Sequence, residues 1–325
     1  MGPMNAPSKR TGFVSHDDCL EHDAGQGHPE QPGRASAIKA ALERSALAAE
    51  LDLHTPEEVE RASIEAIHDP RYIDLVEETV RRGGGQLDPD TRAGVGSDRA
   101  ARLASGGLLE AVDRVMEGSW KNAFVACRPP GHHAEKDRAM GFCLYNHVAI
   151  AAAHLRQRHG LERIAIVDWD VHHGNGTQHI FETDPSVFYA SLHQFPHYPG
   201  TGAESERGLR DGEGATLNCP MESGTGDLEW QRTFEARVLP ELEAFRPDFV
   251  LISAGFDAHR ADPLAGCNLS ADGFRELTRR LLSLASATAG GRLVSLLEGG
   301  YDLTALADCA LAHLEELHGT EQTSA

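Results

Sequence analysis

Ile164-Ala165-Ile166-Val167 followed by Asp168-Trp169-Asp170-Val171-His172-His173-Gly174-Asn175-Gly176 is the stretch that decides the fold. A short β-branched run with no polar face reads as a strand buried on both sides, which is the signature of a parallel sheet. The abrupt change to carboxylates, imidazoles and glycines marks the point where the chain leaves the sheet.

Similar runs recur at Gly12 to Ser15, Ala123 to Cys127, Val187 to Leu192, Phe249 to Ser253 and Leu293 to Leu297. Between them lie amphipathic patterns at Arg34 to Ala49, Ser97 to Glu117, Tyr145 to Arg158, Leu228 to Phe245, Ala271 to Ala289 and Leu303 to Leu317. Ser97 is placed to cap a helix, and Gly118 and Gly160 to end one. This alternation predicts one α/β domain: a central, mainly parallel sheet with helices on both faces. No repeat or Pro-rich linker divides the chain. We therefore expect a domain over 11–318, with flexible ends at 1–10 and 319–325.

Composition narrows the function classes. Of the 325 residues, 40% are hydrophobic and 25% charged, as in an ordinary globular protein. A formal charge of −20 argues against a nucleic-acid backbone binder and suits cationic substrates. Cys19, Cys127, Cys143, Cys219, Cys267 and Cys309 are scattered without a CxxC pair, and no secretory leader pattern opens the chain. No apolar run approaches the ~20 residues of a membrane span. We expect reduced thiols, a cytoplasmic location and no membrane partner. Homo-oligomerisation is left open.

Ligands of parallel sheets bind at the carboxyl ends of strands. Four of those ends are chemically unusual: Arg128-Pro129-Pro130-Gly131-His132-His133, the Asp168 to Gly176 stretch, Ala254-Gly255-Phe256-Asp257-Ala258-His259, and Glu298-Gly299-Gly300-Tyr301-Asp302. Asp170 and His172 are two apart, so in an extended segment they project to one side and can grip one ion. Asp257 supplies a third ligand and leaves room for water and substrate. That donor set suits zinc, although iron or cobalt would also fit. Two carboxylates cancel the ion's charge, so such a site needs help from neighbouring groups. His132 and His133 can act as base and acid, Asp168 can orient His132, and Tyr301 can donate to an oxyanion.

RPPGHHAE (128–135), GFCLYNHVAIAA (141–152), VDWDVHHGNGTQHIF (167–181), SLHQF (191–195), SAGFDAHRADPLAGC (253–267) and LEGGYD (297–302), with HPEQPGR (28–34), together resemble the class II histone deacetylases and their bacterial relatives. The resemblance spans about Thr11 to Leu317. It implies the arginase/deacetylase fold, zinc on Asp170, His172 and Asp257, and catalytic roles for His132, His133 and Tyr301. It further implies a structural potassium held by Asp168, Asp170, His172, Ser191 and Leu192, with a second at Phe181, Asp184 and Val187. Gly141, Phe142 and Tyr198, with Gly300 nearby, should line a channel for an extended alkyl chain. Asn175 stands where class I members carry an aspartate, which implies a less basic His133. Leu264 stands where polyamine-selective relatives carry glutamate.

The expectation is thus a zinc-dependent deacylase acting on acetyl-lysine or a similar short-chain acylated amine. The alternatives are an acetylpolyamine amidohydrolase, a binding protein that has lost the chemistry, and an arginase-type enzyme using His259 beside Asp257 for a second metal. His54, His68 and His313 are expected to be structural or exposed.

Overall fold

The computed structural model describes residues 10–319, so of the flexible ends expected at 1–10 and 319–325 all but Arg10 and Gly319 lie outside the described residues. Arg10 already belongs to the sheet. Ten strands form: β1 (Arg10–Val14), β2 (Asp52–His54), β3 (Gly85–Asp88), β4 (Thr91–Ala93), β5 (Trp120–Val125), β6 (Ile164–Asp168), β7 (Val187–Gln194), β8 (Thr216–Met221), β9 (Phe249–Ala254) and β10 (Leu293–Leu297). Eight of them make one wholly parallel sheet in the order β2-β1-β5-β10-β9-β6-β7-β8. β3 and β4 form a separate antiparallel hairpin.

Alternate side chains of each central strand enter different cores. Ala165 and Val167 of β6, with Val250 and Ile252 of β9, pack into one apolar cluster. Ile164 and Ile166, with Phe249 and Leu251, pack into the other. Apolar residues are needed at every position because helices cover both faces. α1 (Gly33–Arg44), α9 (Ala271–Thr288) and α10 (Leu303–His318) contribute to the first cluster. α3 (Pro70–Arg81), α4 (Ser97–Glu117) and α5 (His147–His159) contribute to the second. Here α2 is Arg61–Glu65, α6 Asn175–Phe181, α7 Asp227–Thr233 and α8 Leu239–Phe245.

The single helix expected over Leu228 to Phe245 is interrupted. Pro240 has no N–H to donate and its ring crowds the preceding turn, so the chain passes through a π-helical segment, Phe234–Val238, before α8 begins. The helix expected over Arg34 to Ala49 likewise ends at Arg44, where Ser45 is extended, and a 3-10 turn follows. Ser97 is not the cap. Gly96 takes that position, and the Ser97 hydroxyl instead accepts from the Gly94 amide at 2.7 Å. Gly118 and Gly160 do end their helices, in left-handed conformation.

The consequence for function lies in the strand order. The four unusual segments follow β5, β10, β9 and β6, which are adjacent at the centre of the sheet. Residues as far apart in sequence as Gly131 and Glu298, 167 positions, therefore meet at one edge.

Candidate active site

Asp170, His172 and Asp257 converge there. His172 Nδ1 lies 3.1 Å from Asp170 Oδ1 and 3.1 Å from Asp257 Oδ2, and one ligand atom from each residue falls within 4.8 Å of the others. The convergence does not come from an extended segment as the spacing suggested. β6 ends at Asp168 and the chain then bends, so the two side chains meet because the backbone turns.

Both carboxylates are held from behind. Asp170 Oδ2 accepts from the Gly299 amide at 2.7 Å and Asp257 Oδ1 from the Val171 amide at 2.8 Å. Gly255 and Gly299 make this possible. A Cβ on Gly255 would lie 2.1 Å from Asp170 Oδ2, and one on Gly299 would lie 2.0 Å from Asp257 Oδ2.

Burying two carboxylates side by side is unfavourable without a compensating cation. Burial and the Asp170 charge push Asp257 up to about 7. His172 is held at about 10, because both carboxylates outweigh the effect of burial. One imidazole and two carboxylates, packed without a second base, form a donor set that fits a divalent transition metal.

The histidine pair stands beside this set, with ring centroids 4.0 Å apart. His132 Nδ1 faces Asp168 Oδ2 at 2.9 Å, and Tyr189 donates to the same oxygen at 3.0 Å. Burial opposes charge on His132, but Asp168, Asp170 and Glu298 override it and hold the ring well above its usual range. His133 Nδ1 faces Asn175 Oδ1 at 2.8 Å. Burial, then the neighbouring His132 and His172, keep His133 well below its usual range, so the two rings are pushed in opposite directions.

A cavity of about 180 Å³ reaches the metal-ligand candidates at His172 and is lined by Asp90, His133, Gly141, Phe142, His172, His197, Tyr198, Leu264 and Tyr301. Gly141 is required by space as well as by its φ of +56°, since a Cβ there would lie 2.2 Å from the His133 ring. Phe142 meets the Tyr301 ring edge-on at 5.9 Å, and Tyr198 meets His133 at 5.2 Å. Gly300 does not line the cavity. Its carbonyl faces the buried Arg34, which donates from Nε at 2.7 Å and lies over the Tyr301 ring. Of the potassium residues implied by resemblance, Asp168 and Ser191 are register partners in β6 and β7. Phe181, Asp184 and Val187 share one turn, where Arg156 already pairs with the Asp184 carboxylate at 2.6 Å.

Several residues of the site were not anticipated. Glu298 Oε2 accepts from the Gly131 amide at 2.6 Å and the His132 amide at 3.1 Å, while Oε1 accepts from Ser253. Asp262 accepts from the Tyr301 amide at 2.7 Å. Glu30 pairs with Arg128 and Arg34 beneath the site. The β3–β4 hairpin delivers Asp90, whose Oδ1 accepts from the Gly141 amide at 3.0 Å. A carboxylate placed directly after the apolar run of β10 was the signal for Glu298; nothing local marked Asp90. His54 is half-buried against Glu110, whereas His68 and His313 are buried. His259 is not part of the metal-ligand group.

A fold and site of this kind define a class, the arginase/deacetylase superfamily, and comparison with known proteins narrows it. The family profile described as "Histone deacetylase domain" matches residues 28–317, and the chain belongs to the histone deacetylase family. It is 38% identical to the histone deacetylase-like amidohydrolase of Pseudomonas aeruginosa over 96% of this chain and 87% of that one. It is 39% identical to a probable deacetylase of Archaeoglobus fulgidus, over 90% of this chain and 82% of that one. The crystal structure of the HDA15 HD domain superposes with a TM-score of 0.91 at 40% identity, covering 97% of this chain and 90% of that one.

Proposed function

We propose that this chain is a zinc-dependent deacylase that hydrolyses the amide of acetyl-lysine or a similar short-chain acylated amine. The observation that carries the proposal is the meeting of Asp170, His172 and Asp257 at the floor of a cavity that also presents His133 and Tyr301. Zinc held by those three residues would supply a Lewis acid for the acyl carbonyl and lower the pKa of an attacking water.

The chain's own groups do the rest. His133, neutral and open to the cavity, is the base that takes the proton of the attacking water. His132, held charged by Asp168, stabilises the negative charge that develops nearby. Tyr301 keeps its phenol proton, because burial raises its pKa well above the usual value despite Arg34 beside it. It can therefore donate a hydrogen bond to the oxyanion. Proton return to the leaving amine falls to the histidine pair. Phe142 and Tyr198 would flank the alkyl chain of the substrate.

By the same resemblance, Asp168, Asp170, His172, Ser191 and Leu192 would hold potassium, as would the turn of Phe181, Asp184 and Val187. Six unpaired, buried cysteines fit a reducing cytoplasm. No described helix is long and apolar enough to cross a membrane.

A second reading, acetylpolyamine hydrolysis, is favoured by Asp90 at the cavity mouth and Asp88 beside it, which would attract a second ammonium. Leu264 at the same mouth favours acyl-lysine. Metal-loaded protein assayed on acetyl-lysine peptides, acetylpolyamines and longer acyl-lysines separates the readings. Activity on none of these, or activity that persists after zinc is removed by a chelator, overturns the proposal.

A further inference from the structure

A second group of metal-binding side chains lies at the opposite edge of the sheet. Asp113 is in the last turns of α4, and His154 and His159 are in the second half of α5. Each of these helices runs into the amino end of a strand, α4 into β5 and α5 into β6, so the group sits away from the carboxyl-end edge that holds the catalytic residues.

Both imidazoles aim the same nitrogen at one carboxylate oxygen. His154 Nε2 lies 2.8 Å and His159 Nε2 2.6 Å from Asp113 Oδ1, and all three atoms fall within 4.8 Å of one another. The side chains are 16%, 16% and 22% exposed. Water and ions therefore reach them, while neighbouring packing limits their rotamers.

We propose that Asp113, His154 and His159 form a second, non-catalytic site for a first-row divalent ion of the zinc, copper or nickel type, clamping α4 to α5. Two imidazoles and one carboxylate select such ions over calcium or magnesium, which want oxygen ligands. Tetrahedral ligands about 2.0–2.1 Å from zinc are roughly 3.3 Å apart. The group must therefore open by about half an ångström, a small movement for side chains that are only partly buried. A water completes the coordination.

A neighbouring cation opposes the ion. Arg158 Nε lies 3.4 Å from Asp113 Oδ2, but its side chain is 60% exposed and can turn into solvent. Without an ion, the same three residues make a hydrogen-bonded cluster that ties the end of α5 to α4. The two roles differ in what they predict about metal.

The test is metal uptake by the full chain. After equilibrium dialysis against micromolar free Zn²⁺, the parent should carry two ions, and both the His154→Gln/His159→Gln variant and Asp257→Ala should carry one. The histidine variant should keep its acyl-amide hydrolysis, so its failure is separable from failure of the catalytic reading. Arg158→Ala should bind the second ion severalfold more tightly, and Zn²⁺ should raise the melting temperature of Asp257→Ala but not of Asp257→Ala combined with the two histidine changes. If the parent takes up only the Asp257-dependent ion, or if the histidine variant takes up as many ions as the parent, the site does not exist.

Discussion

The floor of the catalytic cavity and its mouth are built on different principles. At the floor, each charged group is buried and held by several partners. Asp170 accepts from the amides of His172 and Gly299, Asp257 from that of Val171, and Glu298 from those of Gly131 and His132. At the mouth, Asp90, His197, Tyr198 and Leu264 come from loops and a small hairpin, and Tyr198 is 37% exposed. A reacting centre tolerates little displacement and gains from rigid strand ends. A rim that discriminates between substrates can vary on loops without disturbing the sheet beneath it.

This contrast is tested most severely at the floor. Replacing Asp257 or His172 by Ala should reduce hydrolysis to background and remove the catalytic ion. Circular dichroism should remain that of a folded α/β protein, because the two apolar cores on the sheet faces do not include these side chains. If both variants unfold, the ion holds the fold together and the floor is not merely a chemical site.

Acid should separate buried from exposed histidines in the same way. Burial lowers His68, His147 and His193 from 6.5 to about 4 and His313 to about 3. Each is neutral in the fold and would charge near 6.5 once unfolded. Their stabilisation is therefore present above about pH 6.5 and is lost as pH falls towards 4. Lowering one ring from 6.5 to about 4 corresponds to on the order of 3 kcal/mol. Melting temperatures should fall steeply from pH 7 to pH 5, and His313→Gln should flatten that slope if it folds. A profile that is level across this range would mean that these rings are solvated in the native protein.

The phenol at the boundary between floor and mouth comes next. Tyr301→Phe should retain the catalytic ion and its substrate affinity while turnover falls on the order of 10²-fold or more, as removal of an oxyanion donor does. Near-parent turnover would assign the oxyanion to another donor.

The same contrast explains what could be read from the sequence. Four strand ends were visible because apolar, β-branched runs stop abruptly at Asp, His, Gly and Tyr, and a parallel sheet collects strand ends at one edge. The order of the strands was not visible, since nothing in the residues of β10 announces that it lies between β5 and β9. β8 escaped attention because Asn218 and Pro220 break its apolar pattern, which an edge strand tolerates. Asp90 was invisible for a similar reason: the nine-residue hairpin Gly85 to Ala93, polar and small apart from Leu87, resembles any surface turn. Its role depends on the Gly141 amide fifty-one positions away. Pro240 was legible, and its position should have divided the helix expected over Leu228 to Phe245.

The smallest effect belongs to the mouth, and it decides whether the rim sets selectivity. Leu264 lines the cavity, its amide donating to Asp262 Oδ1 at 3.0 Å and its carbonyl facing His197 Nε2 at 3.0 Å. The backbone is thus fixed and the side chain is the variable part. Leu264→Glu places a carboxylate at the mouth, where it would attract the distant ammonium of a polyamine and offer nothing to the neutral backbone beside an acyl-lysine. Asp90 already contributes negative charge there, so the gain is bounded, and water screens it further. We expect the ratio of kcat/KM for acetylspermidine to that for an acetyl-lysine peptide to rise by about tenfold, equivalent to about 1.4 kcal/mol. Leu264→Gln, which is polar and of similar size but uncharged, should leave the ratio near that of the parent. If Gln and Glu shift it equally, shape rather than charge governs the mouth. If the parent already prefers the polyamine by tenfold, Asp90 and its neighbours select the substrate and Leu264 is only packing.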